Sequence, residues 1–163
     1  MKERIICESI NSLRQEGLKF SVDTLAEKLN ISKKTIYKYF PNKESLALEL
    51  YQKYYKDILF EAKKLVTENT KDSHIKLLFL YYDAKIMTCS NVFNKYKLNE
   101  SLYKYTIQHN NNFWEIISSI MNDRFSKNDK QSLRIIVDGT FEKICNEKIA
   151  PNDVIDRLVD ILW

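Results

Sequence analysis

Glycine and proline are nearly absent, with two of each in 163 residues. Two glycines leave no material for the Gly-rich loops that cradle dinucleotides or nucleotide phosphates. They also exclude an all-β chain, which needs a turn at roughly every 8–12 residues. Cysteine is limited to Cys7, Cys89 and Cys145, an odd set without a CxxC pair. That excludes a disulfide framework and fits reduced thiols in a reducing compartment. His74 and His109 stand alone, so no Cys/His spacing suits a metal, and no metal or other cofactor is expected. No apolar run approaches the length of a signal peptide or a membrane span, so a cytoplasmic chain without a membrane partner is expected. Apolar residues nevertheless make up 44% of the sequence and recur along its whole length, which argues against disorder. The expectation is an all-α protein.

The net charge of +4 is too small to argue from, and residues 1–50 hold nine basic against seven acidic side chains. Placement is more informative. Between Ser32 and Lys43 lie four lysines, Lys33, Lys34, Lys38 and Lys43, and no acid, with Thr35, Tyr37 and Tyr39 interleaved. A basic strip with hydrogen-bonding side chains suits phosphate contact, although a strip this short is also what a solvated helix face looks like.

The surrounding sequence supplies a context. Ile6, Ile10 and Leu13 form an apolar stripe at helical spacing, closed by Gly17. Ser21 stands at an N-cap position before Val22, Leu25, Ala26 and Leu29, a second, short stripe. Asn30 tolerates the left-handed turn that would end it. Ser32 caps a third helix whose Ile36 and Phe40 face inward, leaving Lys33, Lys34, Tyr37 and Lys38 outward. Pro41 ends that helix, Asn42 caps the next, and the small Ala26 lets the second and third helices cross closely. Helix, tight turn, helix with an outward basic face is a helix-turn-helix, whose second helix enters the major groove.

From Ile5 to about Leu50, and most densely over Ile31-Ser32-Lys33-Lys34-Thr35-Ile36-Tyr37-Lys38-Tyr39-Phe40-Pro41-Asn42-Lys43-Glu44, the sequence resembles the TetR family of bacterial transcriptional regulators. Asn30 departs from the glycine usual there. The resemblance implies a DNA-binding domain over residues 1–45, with Ser32, Lys33, Lys34, Thr35, Tyr37, Lys38, Tyr39 and Lys43 meeting DNA. Within that set Lys33, Lys34, Tyr37 and Lys38 would meet bases or the groove, and Thr35, Tyr39 and Lys43 phosphates. It further implies an all-helical domain over 46–163 that binds a small-molecule effector and forms a homodimer. The partners would be double-stranded DNA carrying a palindromic operator, a second copy of the chain, and an unidentified effector.

In the remaining chain a helix is expected from Lys43 to Glu68, with Leu46, Leu50, Tyr54, Ile58, Ala62 and Leu65 inward. Asp72 or Ser73 would cap a fifth helix holding Leu77, Leu78 and Tyr81. A short helix broken at Ser90-Asn91 and Asn94 would follow. Later helices are expected over about Glu100–Asp123 and from Asn128 or Asp129 to Lys148. Pro151 would lie in the first turn of the last, ending at Trp163. Leu133, Ile136, Val137, Gly139, Thr140, Ile144, Leu158 and Leu162 are the candidate dimer interface, where a helix-interior glycine is compensated by close approach of another helix. Tyr81, Tyr105, His109 and Trp114 are the candidate effector contacts, although the same aromatics suit a packed helical core. An enzyme is not expected, because no spacing joins Cys89, His74 or His109 into a nucleophile and base. The alternative to an effector-released repressor is an architectural or protein-recruiting DNA-binding dimer without an effector.

Overall fold

The computed structural model describes residues 1–16, 21–88 and 100–163. The proposed closure at Gly17, and the broken segment holding Cys89, Ser90-Asn91 and Asn94, lie outside them. The described residues form eight helices and no strand: α1 Lys2–Glu16, α2 Val22–Leu29, α3 Lys33–Tyr39, α4 Lys43–Glu68, α5 Lys71–Met87, α6 Glu100–Ser118, α7 Lys127–Glu147 and α8 Asn152–Leu162. No helix among them is long and apolar enough to cross a membrane. They group into two compact units, one of Met1–Asp57 with Met87–Thr106, the other of Ile58–Ile86 with Ile107–Trp163.

In the first unit, Ile5, Ile6, Ile10 and Leu13 of α1 are buried, as are Val22, Leu25, Ala26 and Leu29 of α2. Helix α2 has only eight residues and cannot persist without such packing. Ion pairs join α1 to α4, Lys2 to Glu49 at 2.7 Å and Lys53 to Glu3 at 3.2 Å. The Arg14 guanidinium lies 5.3 Å from the Tyr54 ring centroid. Beyond the stripe residues, Tyr51 and Tyr55 of α4 are also buried. Their hydroxyls donate to the carbonyl oxygens of Met87 and Thr106, which settles the polar end of each large side chain.

The second unit is built around aromatic side chains. Tyr81 of α5 packs against Phe113 and Trp114 of α6 and Phe141 of α7, with ring centroids 5.4, 5.7 and 6.2 Å away. The Tyr81 hydroxyl donates to Asp138 Oδ1 at 2.8 Å, while Lys85 lies 3.2 Å from Asp138 Oδ2 and Arg134 3.6 Å. Helix α8 buries Ile155, Leu158, Val159 and Leu162, and Trp163 after it stacks on His74 at 4.3 Å. Asn122 holds the chain end through its backbone N–H to Leu162 O and its amide to Trp163 O.

Several helix starts differ from the sequence expectation. Thr70 caps α5, its hydroxyl accepting from the Ser73 N–H while Ser73 Oγ accepts from the Thr70 N–H, so Asp72 and Ser73 lie inside the helix. The reciprocal pair satisfies two backbone donors, which Asp72 or Ser73 alone would not. Ser126 caps α7 in the same way with Asp129, and α6 ends at Ser118 rather than Asp123. Pro151 occupies the cap of α8 rather than its first turn.

Burial, and after it the Asp138 carboxylate, raise the Tyr81 phenol well above its ordinary value. The folded chain therefore holds this proton more tightly than the unfolded chain. The corresponding stability is complete below the ordinary phenol pKa of about 10 and is lost as pH rises beyond it. Denaturant melts taken across the alkaline range should show a steeper loss for the wild type than for Tyr81→Phe. Identical pH dependence in the two proteins would show that this phenol does not carry the effect.

Candidate nucleic-acid interface

The interface is set by four short-range structures in sequence. Ser21 and Thr24 form a reciprocal capping box at the start of α2, each side-chain oxygen accepting the other's backbone N–H at 3.1 Å. Asn30 ends α2 in the left-handed conformation (φ 52°, ψ 48°). Its N–H bonds Glu27 O, and the Ile31 N–H bonds Ala26 O at 3.0 Å. This is the two-bond closure in which glycine is usual, and asparagine serves here without a change of geometry. Ser32 then caps α3, accepting the Thr35 N–H at 3.1 Å. Asn42 caps α4, its Oδ1 accepting the Ser45 N–H at 2.8 Å. The Ser32 cap fixes the start of a seven-residue helix that could not hold itself in water, and the Phe40 N–H closes its end on Ile36 O at 3.0 Å.

Ile36 and Phe40 are buried and orient α3, as the sequence requires. Lys33, Lys34, Tyr37, Lys38 and Tyr39 are exposed, and so are Ser32 and Lys43 on either side. Large exposed phenols such as Tyr37 and Tyr39 offer a ring and a hydroxyl to a groove or a phosphate. Thr35 is half-buried, and its hydroxyl lies 3.0 Å from Ser32 Oγ, so both are engaged in the cap. Lys33 is ion-paired with Asp23 of α2. Among the described residues no carboxylate pairs with Lys34, Lys38 or Lys43, which leaves three ammonium groups available to phosphate or base edges. The Asp23 contact was not anticipated from sequence. The two residues are ten apart across a turn, a separation that helical spacing rules do not cover.

The other candidate residues divide differently. Tyr105 belongs to the first unit and lies 6.0 Å from Tyr55, while Tyr81, His109 and Trp114 belong to the second. Tyr81 and Trp114 are buried within the aromatic core, and the Tyr81 hydroxyl is engaged by Asp138. Of the candidate interface residues, Val137, Ile144, Leu158 and Leu162 are buried within their own chain, Leu133 and Thr140 are half-buried, and Ile136 and Gly139 are exposed. Among the described residues, a Cβ added at Gly139 would meet no atom within 4 Å. Ile135, absent from the candidate set, is 68% exposed beside Ile136 at 57%. Among the described residues no cluster of His, Cys, Asp or Glu has the makings of a metal site.

Residues 5–50 match the model of the bacterial regulatory proteins of the tetR family. No curated protein matches the chain. Among solved structures it is similar to a transcriptional regulator (TerR/AcrR family) from Aquifex aeolicus VF5, at 17% identity and a TM-score of 0.62. That match covers 97% of this chain and 94% of the other, and extends the likeness of fold across both units. The caps, the turn and the basic face of α3 all lie inside the matched segment, so residues 5–50, a helix-turn-helix with an outward basic face, are similar to the bacterial regulatory proteins of the tetR family.

Proposed function

We propose that the chain is a dimeric repressor that reads a palindromic operator through α3 and is released from it by a small-molecule effector. The observation that carries the DNA reading is the exposed row Lys34, Tyr37 and Lys38 on a helix capped by Ser32 and seated by Ile36 and Phe40. Lys34, early in α3, meets base edges, where lysine donates to guanine O6 and N7. Lys43, in the first turn of α4, meets a phosphate. Ser32, Thr35, Tyr39 and Lys38 complete the contact set as positioning groups and groove contacts.

Dimerisation is supported by α7. Ile135, Ile136 and Gly139 share an outer face of this helix, and among the described residues nothing approaches Gly139 closely enough to account for a glycine mid-helix. A second copy of the same face, related by a two-fold axis, supplies the approach. Two recognition helices about one DNA turn apart, roughly 34–36 Å, then match a palindrome. Helix α4 runs unbroken from Lys43 to Glu68, starting in the DNA-binding unit and ending in the second unit. An effector that prefers one placement of α4 changes the spacing of the recognition helices and releases the operator. Tyr105 and His109 are the candidate effector contacts that the aromatic core leaves half-exposed.

Selection of bound duplexes from a random pool at fixed salt, with the mass of the bound complex, tests the reading. Enrichment of a palindrome under a dimer is the expected result; salt-sensitive binding without enrichment would favour an architectural factor instead. On the selected duplex, Lys34→Ala should relax preference at its base position by about 1–3 kcal/mol. Lys43→Ala should weaken all duplexes alike and reduce the salt slope by about one. Competition between matched and scrambled duplexes separates the two, and an unchanged preference in the Lys34 variant would remove its base-reading role.

A further inference from the structure

Three of the four lysines around α3 are presented without a partner among the described residues, and the fourth is not. Lys33 is held by Asp23, which projects from the first turn of α2. The first turn of α3 itself has no acidic residue, so the carboxylate comes to Lys33 from the neighbouring helix. Both side chains are more than half exposed, at 58% for Asp23 and 56% for Lys33, and line a shallow groove with Glu27, Asn30 and Ser32. A pair so exposed is weak and opens readily. A duplex presents phosphates, a dense array of competing anions, at this same surface.

We infer that Asp23 is a positioning residue that withholds Lys33 from DNA in the free protein, and so sets how tightly the domain binds duplex of any sequence. The inference rests on α3 being the DNA-facing helix. Binding exchanges the Asp23 carboxylate for a phosphate as the partner of Lys33, and each encounter must first break the protein's own ion pair. Asp23 also adds a negative charge close to the docked backbone, which weakens non-specific contact further. Lys33 is thereby a regulated electrostatic contact rather than a fixed base reader, in contrast to Lys34.

The full chain, with Asp23→Asn, Lys33→Gln and the double variant, is titrated against a random-sequence duplex and the selected duplex over a series of salt concentrations. Asp23→Asn should raise affinity for both duplexes about 3- to 10-fold at moderate salt, and steepen the salt slope by about one phosphate contact. In the Lys33→Gln background the same substitution should lose most of that gain, and Asp23→Glu should behave as the wild type. An equal gain with and without Lys33 would overturn the proposal, since bulk charge alone would explain it. So would a loss of affinity in an Asp23→Asn protein whose thermal melt is unchanged, because Asp23 would then be guiding Lys33 onto DNA. Absence of binding by all five proteins would overturn the DNA-binding reading, and this proposal with it; binding by the wild type without any Asp23 effect overturns the proposal alone.

Discussion

Replacing Ile136 with Glu is expected to break the proposed dimer into monomers and to lower affinity for a palindromic duplex by about 100- to 10,000-fold. The magnitude comes from linkage: two half-site contacts joined in one particle gain that range in avidity over either contact alone. The site is chosen because Ile136 and Ile135 are exposed in the single chain while Gly139, one turn on, leaves open space beside its backbone. A two-fold interface places the same patch of both copies face to face, so one substitution introduces two carboxylates into an apolar contact. Neither has a partner there, and burying an unpaired charge is prohibitive, so the copies separate instead. In the monomer the new Glu is solvated, and its fold should stay within about 0.5 kcal/mol of the wild type. Sedimentation velocity reads the mass, and titration of a palindrome against a single half-site duplex reads the linkage. Half-site affinity should be unchanged. A variant that remains dimeric at micromolar concentration would move the interface elsewhere, and Gly139→Leu, which fills the open space, checks the same face independently.

The helix-turn-helix was legible because every signal in it is local. The hydroxyl of Ser21, the left-handed Asn30, the cap at Ser32 and the inward pair Ile36 and Phe40 each act within four or five residues of themselves. The second unit was less legible because periodicity identifies an apolar stripe without saying what covers it. On α7, Val137, Phe141 and Ile144 turn into their own chain, while Ile135 and Ile136, adjacent in sequence, turn out. Both sets satisfy helical spacing, and only the packing partners separate them. Helical spacing around Asp138 carries no signal of Tyr81 or Lys85, yet it accepts the buried Tyr81 phenol and lies beside Lys85 and Arg134. Asp23 and Lys33 were invisible for the same reason, as a contact made across a turn. At Thr70 the failure was of a different kind. Thr70, Asp72 and Ser73 all have side chains able to cap α5, and the reciprocal hydroxyl pair of Thr70 with Ser73 decided among them.

Trp114→Ala is expected to cost about 3–5 kcal/mol, the range for truncating a large aromatic in a closed core. Trp114 is buried, packs beside Tyr81 at 5.7 Å, and lies next to Phe113, which is also buried against Tyr81. Removing the indole opens a void that neighbouring rings cannot fill without leaving their own packing. In a chain of this size each kcal/mol moves the melting midpoint by about 2–4 °C, so the shift should be roughly 6–20 °C. The effect also separates two meanings of an aromatic side chain in this domain. A tryptophan that lines an open effector cavity has little packed against one face, and its truncation would cost a fraction of the core value while abolishing any ligand-induced rise in melting temperature. A tryptophan that fills the core gives the full loss in the free protein. Trp114→Phe is the companion measurement, since it keeps an aromatic ring against Tyr81 and should recover more than half of the lost stability. A small loss in both variants would reassign Trp114 from the core to the proposed effector contacts, whereas the large loss expected here leaves Tyr105 and, separately, His109 as the side chains on which that proposal is tested.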